Sequence, residues 1–152
     1  MHETLAAYGL PALFILSFLA ATMLPLGSEW LLVALLIQKH EPLLTVIVAT
    51  TGNYIGACTS YALGIYGGDF LIKKLLRIGD SERVKAERFF GRFGFWALLF
   101  SWMPVIGDPL CLAGGVLKIP FMKFSILVAS GKALRYSAVA WLTLKGVQRM
   151  TS

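Results

Sequence analysis

The sequence predicts an all-α integral membrane protein, built as an inverted repeat of a re-entrant helical hairpin plus a transmembrane helix, with a basic amphipathic linker helix between the two units. Three observations carry that prediction. Of the 152 residues, 57% are hydrophobic and only 14% charged, where a soluble domain carries about 25% charged residues. Two apolar runs are each interrupted by a proline and glycine break that holds a carboxylate, Glu29 in one and Asp108 in the other. These breaks and much of their surroundings recur at a spacing of 79 residues.

Mean hydropathy is +0.73, and the length fits one membrane domain over 1–152: a first repeat at 1–68, a linker at 69–92 and a second repeat at 93–152. No Lys or Arg precedes the first apolar run, so Leu5–Leu24 is expected to be retained and not cleaved as a signal peptide. Leu5–Leu24 is about one bilayer long. Pro25-Leu26-Gly27-Ser28-Glu29 interrupts it, and Trp30–Ile37 resumes for too few residues to cross. A long arm, a break and a short arm suggest a re-entrant hairpin; the alternative is a full span followed by a short interfacial helix. Leu43–Tyr66 is the first clear span. It holds Gly52 and Gly56 in a GxxxG pattern, which lets another backbone approach closely.

Asp69–Phe93 is the polar centre of the chain, with seven Lys/Arg facing four acids. Gly79-Asp80-Ser81 reads as one helix end followed by a new N-cap. Beyond it Ala86, Phe89, Phe90 and Phe93 form an apolar stripe on a basic helix, which suits an interface with anionic headgroups. An ordinary solvated linker is the plainer reading. Phe93–Leu117 repeats the broken unit around Asp108, and Phe121–Leu144 is the second span, carrying Gly131, Lys132 and Arg135 in mid-segment.

The offset of 79 relates Pro25 to Pro104, Glu29 to Asp108, Lys39 to Lys118 and Gly52 to Gly131 without a gap. One span per unit forces the two units into opposite orientations, the arrangement that builds many transporters around a midplane site. On that topology the linker and the Lys118 to Lys123 turn share one side with nine Lys/Arg, and the other side holds Lys39, Lys145 and Arg149. Positive residues favour the cytoplasm, so a cytoplasmic linker is expected, with both termini outside.

Charges at membrane depth are costly and mark function. Here they balance: Glu29 and Asp108 as proton or ion-pair groups against Lys132 and Arg135. Lys132 and Arg135 are three residues apart, on one helical face, and can hold a lipid phosphate, Arg135 as a two-pronged donor. The broken-helix ends at Gly27, Ser28 and Gly107 add backbone N–H donors. Asn53, Tyr61 and Ser101 are expected as polar lining. Cys58 and Cys111 sit in apolar runs without metal-binding spacing and are expected to pack as small apolar side chains. No cofactor or metal site is expected. The two histidines, His2 and His40, stand near segment ends with no nucleophile and base set around them, so an enzyme is not expected. The net charge of +6 points to anionic lipid, since the cations cluster between apolar runs and no nucleic-acid-binding motif is present. The chain is compatible with a homo-oligomer.

Leu24-Pro25-Leu26-Gly27-Ser28-Glu29, the Gly52…Gly56…Tyr61…Gly64…Gly67 span, Phe93-Gly94, Trp102-Met103-Pro104 and Gly131-Lys132-Ala133-Leu134-Arg135-Tyr136 together resemble the DedA superfamily, also called the SNARE-associated Golgi protein or VTT domain family, and most nearly its short bacterial YqaA-like branch. The resemblance implies two facing re-entrant hairpins in a bacterial inner membrane. It also implies flippase- or scramblase-like transport of a phosphate-bearing lipid, a phospholipid or a polyprenyl phosphate, with proton coupling in some members. The chain departs from the family pattern at three charged positions. Ser101 and Gly107 stand where the family has arginines around the second break, and Ala57 where it has an acid; an acid before the first break is also missing. Glu29 matches the family, whereas Asp108, Lys132 and Arg135 rest on this chain's own pattern. The alternatives in other classes are a small-ion or proton channel and a structural membrane-assembly protein.

Overall fold

The two longest helices each start at a proline-marked turn, because proline fits the first turn of a helix and cannot continue one before it. The computed structural model describes residues 2–22, 28–67, 80–103 and 106–151, with the backbone alone for 2–7, 22, 80, 82–83, 86–87, 89 and 150–151. In order, the elements are α1 (His2–Thr22), α2 (Ser28–Ile37), α3 (Pro42–Tyr66), α4 (Asp80–Phe93), a 3-10 helix (Gly94–Trp102), α5 (Gly107–Val116) and α6 (Phe121–Thr151). The described residues hold helices and no strand, as the sequence predicts. The breaks at 25–27 and at 104–105, with Gly27 and Pro104, and the first half of the linker lie outside the described residues.

The 79-residue spacing reappears in the backbone. It separates α2 from α5 at both ends and the first residue of α3 from that of α6. Both short helices end in the same turn. Lys39 and Lys118 alone among the described non-glycine residues have positive φ, 65° and 51°. The amides of Gln38, Lys39 and His40 bond the carbonyls of Ala34, Leu36 and Leu35, and those of Leu117, Lys118 and Ile119 bond Ala113, Gly115 and Gly114. A left-handed residue at a helix end satisfies carbonyls that would otherwise be orphaned, and a lysine there also complements the negative end of the helix dipole.

Glycines set the packing. A Cβ on Gly52 would sit 2.5 Å from the carbonyl oxygen of Phe14, and one on Gly56 equally close to that of Phe18, so α1 lies directly on the GxxxG face of α3. Gly64 meets the Leu112 carbonyl and Gly115 the Tyr61 carbonyl, so α5 closes on the far end of α3. Within the second unit the 3-10 helix packs on α6, and from the first unit α2 packs on α6 and α3 contacts it. Each short helix thus lies against the long helix of the other unit. Two apolar clusters result. Phe124, Leu98, Leu110 and Tyr61 belong to one; Leu13, Leu32, Leu35 and Tyr136 belong to the other.

The outer surface is apolar. Ile47 and Ile55 on α3, Ile126, Leu134 and Trp141 on α6, and Trp30 on α2 are all exposed, the surface expected of helices facing lipid. Among the described helices, Pro42–Tyr66 is the one that is both long and apolar enough to cross a membrane. The last helix departs from expectation. It continues past Leu144 to Thr151, 31 residues in all, because Lys145 and Arg149 keep helical backbone going beyond the apolar stretch. Lys145 caps the Trp141 ring at 4.0 Å.

The linker also differs in detail. Lys85, Arg88 and Arg92 are exposed, but Phe90, expected on the stripe facing headgroups, is buried in the protein core. The α4 helix rests on the 3-10 helix and α5, so part of its apolar stripe covers protein. Gly94, with φ of 57°, turns the chain from α4 into the 3-10 helix, whose nine residues exceed the three or four that such helices usually reach.

Candidate functional site

Glu29 stands in the first turn of α2 and Asp108 in the first turn of α5, where the positive end of a helix dipole favours a carboxylate. Opposite them, α6 presents Lys132, Arg135 and Tyr136, and α3 presents Asn53. Arg135 forms an ion pair with Glu29, and its Nη1 donates to the Trp102 carbonyl at 3.1 Å. Lys132 turns the other way. Its Nζ lies 3.6 Å from Asp108 Oδ1 and donates to Asn53 Oδ1. The Asn53 Nδ2 donates to the Tyr136 hydroxyl at 3.1 Å, and that hydroxyl also shares a hydrogen bond with Ser28 Oγ at 2.7 Å.

The hydrogen-bonded run from Lys132 through Asn53 and Tyr136 to Ser28 is deeply placed: Lys132 is 2% exposed, Ser28 3%, Asn53 5% and Tyr136 1%. A buried ammonium is tolerated only when paired and hydrogen-bonded, and Asp108 and Asn53 supply those partners. The four charges therefore split into two pairs. Lys132 with Asp108 is the inner pair by its cation, the Asp108 side chain itself being 34% exposed. Glu29 with Arg135 is the outer one, each side chain about a fifth exposed.

A cavity of about 670 Å³ opens beside the outer pair. Ser28, Glu29, Asn53, Ser101, Asp108 and Arg135 form its polar wall, and Ala20, Leu99, Trp102, Met103, Leu134, Ala138, Val139 and Leu142 its apolar walls. Its size lies within the roughly 300–1,000 Å³ of ligand pockets. Ser101 Oγ is buried in that wall with no hydrogen-bond partner among the described residues. The cavity has a local cause. Where α3 carries Gly52 and Gly56 and receives α1 flush, α6 carries, 79 residues on, Gly131 and Arg135. Gly131 still admits the Leu99 carbonyl, 3.1 Å from a built Cβ, but one turn later Arg135 stands where the first unit has Gly56, so the second unit cannot close in the same way.

The residues expected at the site do not all meet there. Lys132 lies behind Asn53 and Asp108 and is not in the cavity wall. Gly107 is also out of the wall, packed so closely on the Ser101 carbonyl that a Cβ would collide with it. Tyr61, expected as polar lining, belongs elsewhere: its ring packs on Phe124 at 4.3 Å and its hydroxyl donates to the Ile119 carbonyl at 2.5 Å. Spacing along an apolar helix gives its small-residue face, not how far a tyrosine reaches along it. Gly27 lies outside the described residues. Conversely, Tyr136 and the Trp102 and Met103 walls had no assigned role. Tyr136 is four residues after Lys132, which puts the two on one helical face, and that was the available signal.

A family model for the VTT domain matches residues 24–143. The chain is 42% identical over 148 residues, 97% of each chain, to Inner membrane protein YqaA of Escherichia coli (strain K12). It is 34% identical over 139 residues to an uncharacterized protein of Haemophilus influenzae, covering 86% of this chain and 85% of that one. It is also 21% identical over 142 residues to the uncharacterized membrane protein YbfM of Bacillus subtilis, covering 88% of each. No solved structure matches it. The resemblance read from the broken helices and the Gly131 to Tyr136 stretch is thereby established: the chain is a membrane protein of the VTT domain family, also called the DedA family.

Proposed function

We propose that this protein moves a phosphate-bearing lipid across the bacterial inner membrane, in the manner of a flippase or scramblase. The location is supported by likeness to a relative named as an inner membrane protein. The observation that carries the transport reading is Arg135. Its guanidinium stands in the wall of a largely apolar cavity, held by a carboxylate that a phosphate can displace. A headgroup phosphate takes over the two-pronged contact now made by Glu29, and the acyl or prenyl chain stays against the apolar walls and the bilayer. Lys132 is a positioning group in this scheme. It fixes Asp108 and Asn53 without touching the lipid.

The 79-residue spacing of α2 and α5 supports an inverted repeat, and the Lys/Arg excess of the linker supports placing it on the cytoplasmic side. Protonation of Glu29 releases Arg135, which gives a route for coupling to pH. A permanent clasp between the units is the competing account, and Lys132, buried to 2% exposure, favours it for the inner pair alone.

The test is lipid movement in reconstituted liposomes carrying a labelled phospholipid or a polyprenyl phosphate. Arg135→Ala is expected to abolish it. The swap Glu29→Arg with Arg135→Glu keeps a clasp and moves the cation onto α2; restored movement in that variant would overturn the assignment of phosphate to Arg135.

A further inference from the structure

We infer that the last turn of α4, the first turn of the 3-10 helix and the first turn of α6 together form a docking surface for acidic phospholipid headgroups, separate from the cavity. The inference does not rest on the transport reading. It starts from where the apolar spans end. The ring of Tyr61, late in α3, packs at 5.7 Å on Phe121 at the start of α6, and its hydroxyl reaches the Ile119 carbonyl in the turn before α6. The close of one long helix and the start of the other thus share one end of the bundle. The apolar stripe of α4 partly faces the protein there, since Phe90 is buried. What stays outside is basic and aromatic. Lys85, Arg88, Arg92, Lys118 and Lys123 are exposed, and so are Phe95 at 37% and Trp96 at 57%.

Two of these cations are seated on rings. Lys123 Nζ stands 4.8 Å from the Phe95 ring centroid, and the Arg92 guanidinium 5.6 Å from that of Phe93. Phe95 packs in turn on Trp96 at 5.1 Å. A ring orients a cation but accepts few of its N–H donors, which stay available to a phosphate. Neither Arg92 nor Lys123 forms an ion pair with a described carboxylate. Gly94 separates the two ring-bearing residues Phe93 and Phe95, and a Cβ built on it or on Gly91 meets nothing within 4 Å, so the backbone beside the cations is bare and open. The charge there is positive. The α4 segment carries four Lys/Arg against three acids, and no acid follows Asp108 in the chain to offset Lys118 and Lys123. Aromatic rings beside exposed cations at the end of an apolar span sit at headgroup depth in a bilayer, and the acidic partner present at that depth is lipid.

The experiment places the full chain in nanodiscs of choline phospholipid and compares how strongly it immobilises two spin-labelled probes, a glycerol phospholipid and a choline phospholipid. The wild-type chain should favour the acidic glycerol lipid by about fivefold or more, the weight of one cation at an anionic surface. In Arg92→Gln with Lys123→Gln the ratio should fall toward one, with no change in melting temperature in neutral detergent, because both side chains are exposed. Arg92→Lys with Lys123→Arg, which keeps both charges, should retain the preference. Lys145→Gln removes the cation over Trp141 at the other end of α6 and should leave the preference in place. High salt should weaken it, since exposed charges are screened far more than buried ones. Equal association of the two probes with the wild type would overturn the assignment and leave the patch to a protein partner or a second copy. A preference that survives the double Gln variant and high salt would also overturn it, and would place the acidic lipid at Arg135 in the cavity, so the transport reading is judged separately. An equal loss in Lys145→Gln would overturn the placement at this end of the molecule.

Discussion

Lys132 on α6 donates a hydrogen bond to the side chain of Asn53 on α3, and the two residues are 79 apart, the spacing that relates α2 to α5. Corresponding positions of the two units thus meet face to face, one as a cation and the other as the amide that receives it. Helices that pack on each other at corresponding positions are what a two-fold relation between the units would produce, and the charge sits where such an axis would run.

That contact yields the first prediction. Lys132→Met leaves the Asp108 carboxylate and the Asn53 amide without their shared partner. Breaking a buried ion pair costs roughly 3–5 kcal/mol, and because Asp108 is a third exposed the lower end is expected. Adding Asn53→Leu to Lys132→Met should cost less than the sum of the two single changes. Thermal unfolding in detergent checks both; strict additivity would mean that the pair is not coupled.

Glycine substitutions should sort by what a Cβ meets. Gly52→Ala and Gly56→Ala drive a methyl into the α1 backbone, at 2.5 Å from the carbonyls of Phe14 and Phe18, and overpacking of this kind costs about 1–3 kcal/mol. Gly146, late in α6, meets nothing within 4 Å. Gly146→Ala should therefore stabilise by about 0.5–1 kcal/mol, since glycine is a poor helix residue. Melting temperatures that move together in one direction would show that the α1 contact is not tight.

Much of this was legible before any coordinates. Hydropathy and the proline turns gave the helices, and the gap-free spacing of Glu29 with Asp108 and Lys39 with Lys118 foretold the matching bounds of α2 and α5. The four charges could be listed from composition and depth. Their partition could not. Lys132 and Arg135 share a helical face, yet one reaches inward to Asp108 and the other outward to Glu29, because long side chains choose partners that lie on other helices. The displacement of Tyr61 to the Ile119 carbonyl and the role of Tyr136 have the same origin: an aromatic ring spans more than a turn, and only packing decides its direction. The 3-10 helix after Gly94 left no mark in the apolar pattern, which is equally compatible with an α-helix.

Tyr136 gives the third prediction. Its hydroxyl accepts from Asn53 and shares a hydrogen bond with the Ser28 hydroxyl, which ties α6 to α3 and α2 at one atom. Tyr136→Phe keeps the buried ring and removes that atom, leaving two buried polar groups unsatisfied. The expected loss is about 1–3 kcal/mol, read as a lower unfolding midpoint in detergent. A midpoint unchanged from wild type would mean that water replaces the hydroxyl without cost.

Glu29 separates a counter-ion from a clasp. If the Glu29 carboxylate competes with lipid phosphate for Arg135, Glu29→Gln removes the competitor and leaves the guanidinium with the Trp102 carbonyl as its remaining named partner. Phosphate-bearing lipid should then bind about tenfold more tightly, the order of one charge-assisted hydrogen bond, and leave more slowly, so that net movement across the membrane falls although affinity rises. A clasp predicts the opposite pairing: looser packing of α2 on α6, a lower melting temperature and no gain in lipid affinity. Lipid retention through detergent exchange, measured beside the melting temperature of the same preparation, distinguishes the two. Weaker retention in Glu29→Gln would end the competition account, because removing a rival anion cannot weaken the binding of another unless the pair was holding the cavity in shape.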